Sequence, residues 1–320
     1  MSLFRRFHHL SLGAAIAALL AVVLAAAASA STAVVLNSED DTLSVVSSNG
    51  GYHEVSRAHI GRGPHHLIVS PDGHTLILAM SGSNELVMVD RISGGETRRI
   101  EASDPYQIGF SPDGKWFVAA SIRLDRIDIY NASDFKLVYR LPAATMPSHI
   151  AFARDSSAVY VTLQGTGSLI AIDLSSGKAL WTVTIGPTPA GIITRATGTL
   201  LAGIMGADYI AEIDPHDGHI IQKIHTGNGA HNFLMSPDGK TLYVTNRVAG
   251  TISVLDADTL TVIATLMAPG GPDDMALSPD GKELWVTDRW HASVGVIELA
   301  SGNLIATIPV GRSPHGLFVY

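Results

Sequence analysis

The strongest constraint on this chain is a pattern that returns at near-constant spacing along most of its length. Ser-Pro-Asp-Gly occurs at 70–73, 111–114, 236–239 and 278–281. The first and last intervals between these copies are nearly equal, and the middle one is three times as long. Degenerate copies fall inside the long interval, at Ala153-Arg154-Asp155-Ser156 and Thr194-Arg195-Ala196-Thr197. A second marker, at Pro64, Pro105, Pro147, Pro189, Ala230, Pro272 and Pro314, keeps the same short spacing throughout and gives seven copies. Self-similarity at this period means one supersecondary unit used repeatedly, each copy burying its faces against its neighbours.

The unit at residues 230–271 predicts four strands, Asn232–Met235, Thr241–Thr245, Thr251–Asp256 and Thr261–Met267. They are short, β-branched and bounded by Gly, Pro, Asp and Asn, as hairpins require. The 3.6-residue periodicity of helical repeats is absent. Four strands in about 42 residues, repeated around an axis, make a propeller blade. The expected fold is therefore all-β, a seven-bladed β-propeller of four-stranded blades.

The chain stops after the first strand of its seventh unit, at Leu317-Phe318-Val319-Tyr320. The three strands this unit lacks are expected near the other end, at Val34–Leu36, Thr42–Val46 and Glu54–His59. Asn37 precedes Pro64 by the same interval, to within one position, as Asn246 precedes Pro272, so the register agrees. The last blade is thus expected to be closed by N- and C-terminal strands, which pairs edges that would otherwise invite aggregation.

Residues 1–30 are expected to be a signal peptide, outside a single propeller domain at 31–320. Arg5 and Arg6 precede the apolar run Leu10–Ala27, and Ala28-Ser29-Ala30 places cleavage after Ala30. A run of this length is near the lower limit for an uncleaved membrane anchor. Its alanine content and the Ala-Ser-Ala ending favour cleavage. The residues after Arg5-Arg6 fit a twin-arginine signal poorly. The implied location is periplasmic or secreted, with no membrane span after cleavage.

The sequence has no cysteine, which excludes a lipoprotein anchor, disulfides, thiolate metal sites, iron–sulfur clusters and covalent c-type haem. Cleavage would remove two arginines and no acid, leaving 19 basic and 29 acidic side chains and a formal net charge of −10. That excess argues against general affinity for nucleic-acid backbones. A monomer is expected.

Tyr243-Val244-Thr245-Asn246 matches the signature of the YVTN-repeat β-propeller family, with Tyr160-Val161-Thr162 and Trp285-Val286-Thr287-Asp288 as variants at equivalent places. Over residues 33–320 the chain resembles this family, which includes periplasmic YncE-like and cytochrome-d1-like propeller proteins. The resemblance implies the fold and leaves the activity open, because family members include enzyme domains, surface proteins and periplasmic binding proteins.

In such a fold the loop entering the innermost strand and the loop between second and third strands share one face. The residues after the marker are His65-His66, Tyr106-Gln107, Ser148-His149, Ala190-Gly191, His231-Asn232, Asp273-Asp274 and His315-Gly316. Arg123, Arg247, Asp288, Arg289, Trp290 and His291 fall in the second-to-third-strand loops. These positions predict a polar pocket at one mouth of the channel, lined by His65, His66, Tyr106, Gln107, His149, His231, Asn232, Asp273, Asp274, Arg123, Arg247, Arg289, Trp290 and His315. Solvated decoration of a water-filled channel is the alternative. The Ser-Pro-Asp-Gly turns are expected to be structural, as is the exposed His216/His219 turn. Trp116, Trp181 and Trp285 are expected between blades, and Trp290 in an exposed loop that could stack on a ligand.

Two classes of function remain. One is an exported binding module recognising a small molecule or a periplasmic protein, with no cofactor. The other is a periplasmic enzyme or cofactor-binding protein. Pro314-His315-Gly316 resembles the inner-strand entrances of streptogramin-type lyases, which implies His231 or His315 as general base, oriented by Asp273 or Asp274. Resemblance to haem-d-type nitrite reductase propellers implies a non-covalent tetrapyrrole over His65, His231 and His315, the same residues that would serve a metal ion. No phosphate loop, nucleophile elbow or His-Glu-x-x-His helix is present, so nothing demands catalysis.

Overall fold

The computed structural model describes residues 30–268 and 270–320. The expected signal peptide up to Ser29 lies outside the described residues. Among the described residues all regular structure is β, arranged as seven four-stranded sheets, a seven-bladed β-propeller. No helix of the described residues is long and apolar enough to cross a membrane. The chain forms two compact units, one made of residues up to Ser103 with Ala276–Tyr320, the other of Asp104–Met275.

In the sheet built from both ends of the chain the strand order is Pro314–Val319, Thr32–Asn37, Thr42–Ser47, His53–His59. Ala33 faces Val319, Val34 faces Phe318 and Val35 faces Leu317 in an antiparallel ladder. This is the closure that the truncated seventh repeat predicts.

Middle strands are buried on both faces, as at Thr42–Ser47 and Ala158–Leu163, because each sheet is covered on two sides. Their sequences are accordingly near-continuous apolar runs rather than alternating ones. The fourth strand His53–His59 alternates in exposure and, like the fourth strand Glu96–Glu101, carries charge on its free edge. Arg57 pairs with Glu54, and Arg99 with both Glu85 and Glu96. Charged edges of this kind discourage pairing with another chain.

In the unit holding both termini, Val34, Leu36, Leu43 and Val45 pack with Leu76, Leu78, Met80 and Val87. Their neighbours Ala33, Val35 and Val46 pack with Trp285, Val294, Val296 and Ile308. Trp285 is fully buried, and its Nε1 donates to Glu283, which also accepts the Tyr52 hydroxyl. Burial and the adjacent Glu283 carboxylate push the Tyr52 phenol up to about 12. In the other unit Ala171, Leu169 and Tyr160 pack with Leu200, Ala202 and Ile213. Trp116 and Trp181, expected in the inter-blade core, are half-buried and pack against its clusters, and Trp181 Nε1 donates to the Pro215 carbonyl of the neighbouring sheet.

The Ser-Pro-Asp-Gly turns share one internal network. The serine hydroxyls of Ser70, Ser111, Ser236 and Ser278 donate to Asp72, Asp113, Asp238 and Asp280. Each aspartate also accepts the backbone N–H two positions further on, at His74, Lys115, Lys240 and Lys282. The closing glycines sit at φ between 69° and 77°, where a side chain would be strained. Led by the serine hydroxyl, these hydrogen bonds hold Asp113 and Asp280 at about 2 and lower Asp72 and Asp238.

A carboxylate whose folded pKa is depressed contributes stability above its unfolded value and loses it as pH falls through the folded one. Unfolding midpoints in denaturant are therefore expected to hold above about pH 4 and decline towards pH 2. Replacing the four aspartates by asparagine should flatten that decline. Deleting Pro314–Tyr320 should leave Thr32–Asn37 with an open edge. The expected result is aggregation or loss of a single cooperative transition, read by size-exclusion chromatography and thermal unfolding.

Candidate functional site

Six of the first strands begin at the marker residue itself, as at Pro64–Val69, Pro147–Phe152, Ala230–Met235 and Pro314–Val319, and the seventh, Gln107–Phe110, begins two residues after Pro105. The residues expected in entrance loops, Tyr106 excepted, are therefore already inside the strand. The residue before each marker is in the left-handed region: Gly63, Asp104, Met146, Thr188, Gly229, Gly271 and Ser313 have φ between 48° and 81°. A β-branched Thr188 there is strained. The carbonyls of Gly63, Met146, Thr188 and Gly229 accept N–H groups from Ser81, Gln164, Met205 and Arg247, at the ends of the second strands. Each bond clamps the second-to-third-strand loop beside the first-strand entrance of its own sheet.

A bulge follows the turn. Pro64 pairs with Met80 and Leu67 with Leu78, so His65 and His66 together oppose one residue, Ala79. The same slip occurs between Pro147 and Ile150, Pro189 and Ile192, Ala230 and Phe233, and on the last strand between Pro314 and Leu317. In a regular strand adjacent side chains point to opposite faces. A bulge breaks that alternation and re-aims them.

Within the Asp104–Met275 unit, the first strands bring together His149, His231, Asn232, Asp273 and Asp274, the first three of them at bulges. Asp273 is fully buried, and Arg247 reaches it with Nη2 2.6 Å from Oδ2. The same Nη2 lies 3.0 Å from His231 Nε2, while His231 Nδ1 lies 3.1 Å from Asp273 Oδ1. A guanidinium can only donate, so His231 Nε2 accepts and the ring is neutral with its proton on the side of Asp273. His231 meets the buried His149 edge-on at 5.3 Å, and His149 meets Tyr106 at 6.0 Å. Asn232 donates to Asp274 at 3.2 Å. Gln107 accepts the Ile150 N–H at 2.6 Å, which makes it a structural bridge to the neighbouring sheet. Gly191 permits the close approach of Pro189–Thr194 to Ala230–Met235, since a Cβ there would lie 2.3 Å from the His231 carbonyl oxygen.

Within the unit holding both termini, His65, His66 and His315 come together, all buried. Their ring centroids are 3.7 Å apart for His65–His315, 4.4 Å for His66–His315 and 4.8 Å for His65–His66. Of the three histidines that sequence reasoning joined for a metal or tetrapyrrole, His65 and His315 are thus in one unit with His66, and His231 is in the other with His149.

The remaining positions do not converge in this way. Arg123 is exposed and clamped by the buried Asp104 at 2.7 Å, a contact that secures the turn before Pro105. Trp290 is exposed on the loop that holds Arg289, where Asp288 accepts the His291 N–H at 3.1 Å. His219 is exposed, and its hydrogen bond to Asp217 raises its pKa above the ordinary value. A cleft of about 660 Å³ on the turn side, lined by Arg154, Tyr160, Leu180, Trp181 and His216, has no counterpart in the sequence reading. Tyr160 and Trp181 stack across it at 5.9 Å. Both aromatics were visible in the sequence, but strand periodicity could not show that Trp181 stays half open.

The sequence model of the YNCE-like beta-propeller matches residues 10–320. The chain belongs to that family. No curated protein sequence matches this YNCE-like propeller. Among solved structures it is similar to a functionally unknown protein from Desulfotomaculum acetoxidans, with TM-score 0.76 and 15% identity over 90% of this chain and 98% of the other. Hydrazine synthase of Kuenenia stuttgartiensis is similar at TM-score 0.68 and 20% identity, over 81% and 91% of the two chains. A dihydro-heme d1 dehydrogenase, NirN, is similar at TM-score 0.63 and 15% identity, over 90% and 74%. At these identities the likeness is one of fold.

Removing one member of a buried ion pair leaves the other charge uncompensated, at a cost of about 3–5 kcal/mol. Asp273→Ala is expected to lower stability by that order, measured in denaturant at neutral pH. The double variant Asp273→Leu/Arg247→Leu should cost less than the single, since no charge is then stranded.

Proposed function

We propose that this YNCE-like propeller is an exported binding module that recognises a small ligand or a periplasmic partner. The proposed site is formed by the first-strand entrances and adjoining loops of the Asp104–Met275 unit. The observation that carries this reading is the Arg247–His231–Asp273 network. Burying a carboxylate and a guanidinium together contributes little to stability compared with apolar packing of the same volume. Polar groups concentrated at the strand entrances therefore point to recognition. Arg247 keeps part of its guanidinium accessible, with Asn232 and Asp274 half-buried nearby in the sequence of entrances. An anionic or hydrogen-bonding group is the chemistry such a site would take.

The His231–Asp273 contact favours one second reading, a cofactor-independent periplasmic enzyme with His231 as general base. His231 Nε2 is engaged by Arg247. Catalysis would need a substrate anion to draw Arg247 away and release that nitrogen. The export half of the proposal rests on the Arg5-Arg6, apolar run and Ala-Ser-Ala sequence.

The test is to fractionate cells, determine the N-terminus of the periplasmic protein, and measure melting temperature against a panel of small carboxylates, phosphates and sugars. An N-terminus at Ser31, and a ligand-dependent rise abolished by Arg247→Ala, are expected. Cytoplasmic retention refutes export. A shift unaffected by Arg247→Ala or Asn232→Ala refutes the site. Turnover of a panel compound, lost in His231→Gln, would replace binding by catalysis.

A further inference from the structure

From the convergence of His65, His66 and His315 we infer a binding site for a divalent late first-row transition metal, zinc or copper, in the unit that holds both termini. The three imidazoles offer one ligand nitrogen each, all within 4.8 Å of one another, and all three side chains are buried. Nitrogen-to-metal bonds of about 2.0–2.1 Å place tetrahedral ligand atoms about 3.4 Å apart. Drawing the rings together therefore takes side-chain rotations that move nitrogens by roughly 1 Å, well within rotamer-well freedom.

Backbone features bring this donor set about. The bulge opposite Ala79 turns His65 and His66 to one place, where a regular strand would send them to opposite faces. The bulge between Pro314 and Leu317 does the same for the last strand, which carries His315. Gly316 then lets the last strand lie against the first strand of the next sheet, because a Cβ at 316 would stand 2.7 Å from the His65 carbonyl oxygen. Of the seven marker positions, only that of Pro64 is followed by two histidines.

The chemistry of the set selects the ion. Three neutral imidazoles suit zinc, copper, nickel or iron, whereas calcium and magnesium require oxygen ligands. Three protein ligands leave a fourth position for water or another ligand. The rings pack on one another with one nitrogen of each within 4.8 Å of the other two, a compact set that suits an ion rather than the plane of a tetrapyrrole.

The test uses the mature chain, purified without a polyhistidine tag, stripped with chelator, and titrated with Zn²⁺ and Cu²⁺ by calorimetry, with metal content after gel filtration as a second readout. One equivalent is expected to bind and to raise the melting temperature. Affinity should fall at least about 100-fold in His65→Ala, His66→Ala or His315→Ala, given that even outer-shell changes cost 10–100-fold. His216→Ala/His219→Ala, in the exposed turn, should bind as the parent does. Melting of each variant in chelator checks folding, and His→Asn replaces any alanine variant that unfolds. Cobalt substitution adds a signature, since intense visible bands report a tetrahedral site. Failure of the parent to bind one equivalent, or undiminished binding by the variant lacking all three histidines, overturns the inference.

Discussion

What the rest of this structure depends on is a two-part backbone constraint at the head of five of the described sheets. A residue in the left-handed region precedes the marker, and a bulge follows it at the registers seen for His65-His66 and His315-Gly316. The turn positions the chain so that its carbonyl can accept an N–H from the second strand, as Gly229 does from Arg247. The bulge then re-aims two side chains that strand geometry would separate. Strain at Thr188 and Met146 is tolerated because these bonds over-determine the conformation.

Around that constraint the energetics divide cleanly. Stability comes from the doubly covered middle strands, whose apolar side chains meet those of neighbouring sheets, and from the ladder between Ala33–Val35 and Leu317–Val319. The turns on the other side are self-contained, each aspartate satisfied by its own serine and backbone. Polar groups buried at the bulges belong to neither set. Asp273 and Arg247 neutralise one another, and desolvation of both leaves little net stabilisation. The three-histidine cluster likewise buries polar rings where leucine would pack. Their placement is intelligible as binding chemistry carried by a rigid scaffold.

The two clusters differ in kind. One is charged, with a carboxylate and a guanidinium bracketing a neutral imidazole, and suits hydrogen-bonding or anionic groups. The other is three imidazoles with no carboxylate among them, and suits a borderline-soft cation. The same bulge carries His231 in one cluster and His65, His66 and His315 in the other, so at these entrances the chemistry is set by which residues follow the marker. This is how a repeat fold separates scaffold from function.

The sequence by itself determined the number of sheets, their strand count, the positions of their strands to within a few residues, and the closure by both ends. Those features follow from local turn chemistry and β-branched patterning, repeated often enough for the period to be measured. It also picked out most polar residues of both clusters, because internal comparison exposes His65, His231, Asp273 and His315 as departures from an apolar repeat. Only the tertiary structure decided how they group. His66 joins His65 and His315, and Arg247 caps His231, through bulges and a close backbone approach at Gly316. Side-chain direction at a bulge depends on register with the partner strand, a non-local quantity that residue spacing along one chain does not carry.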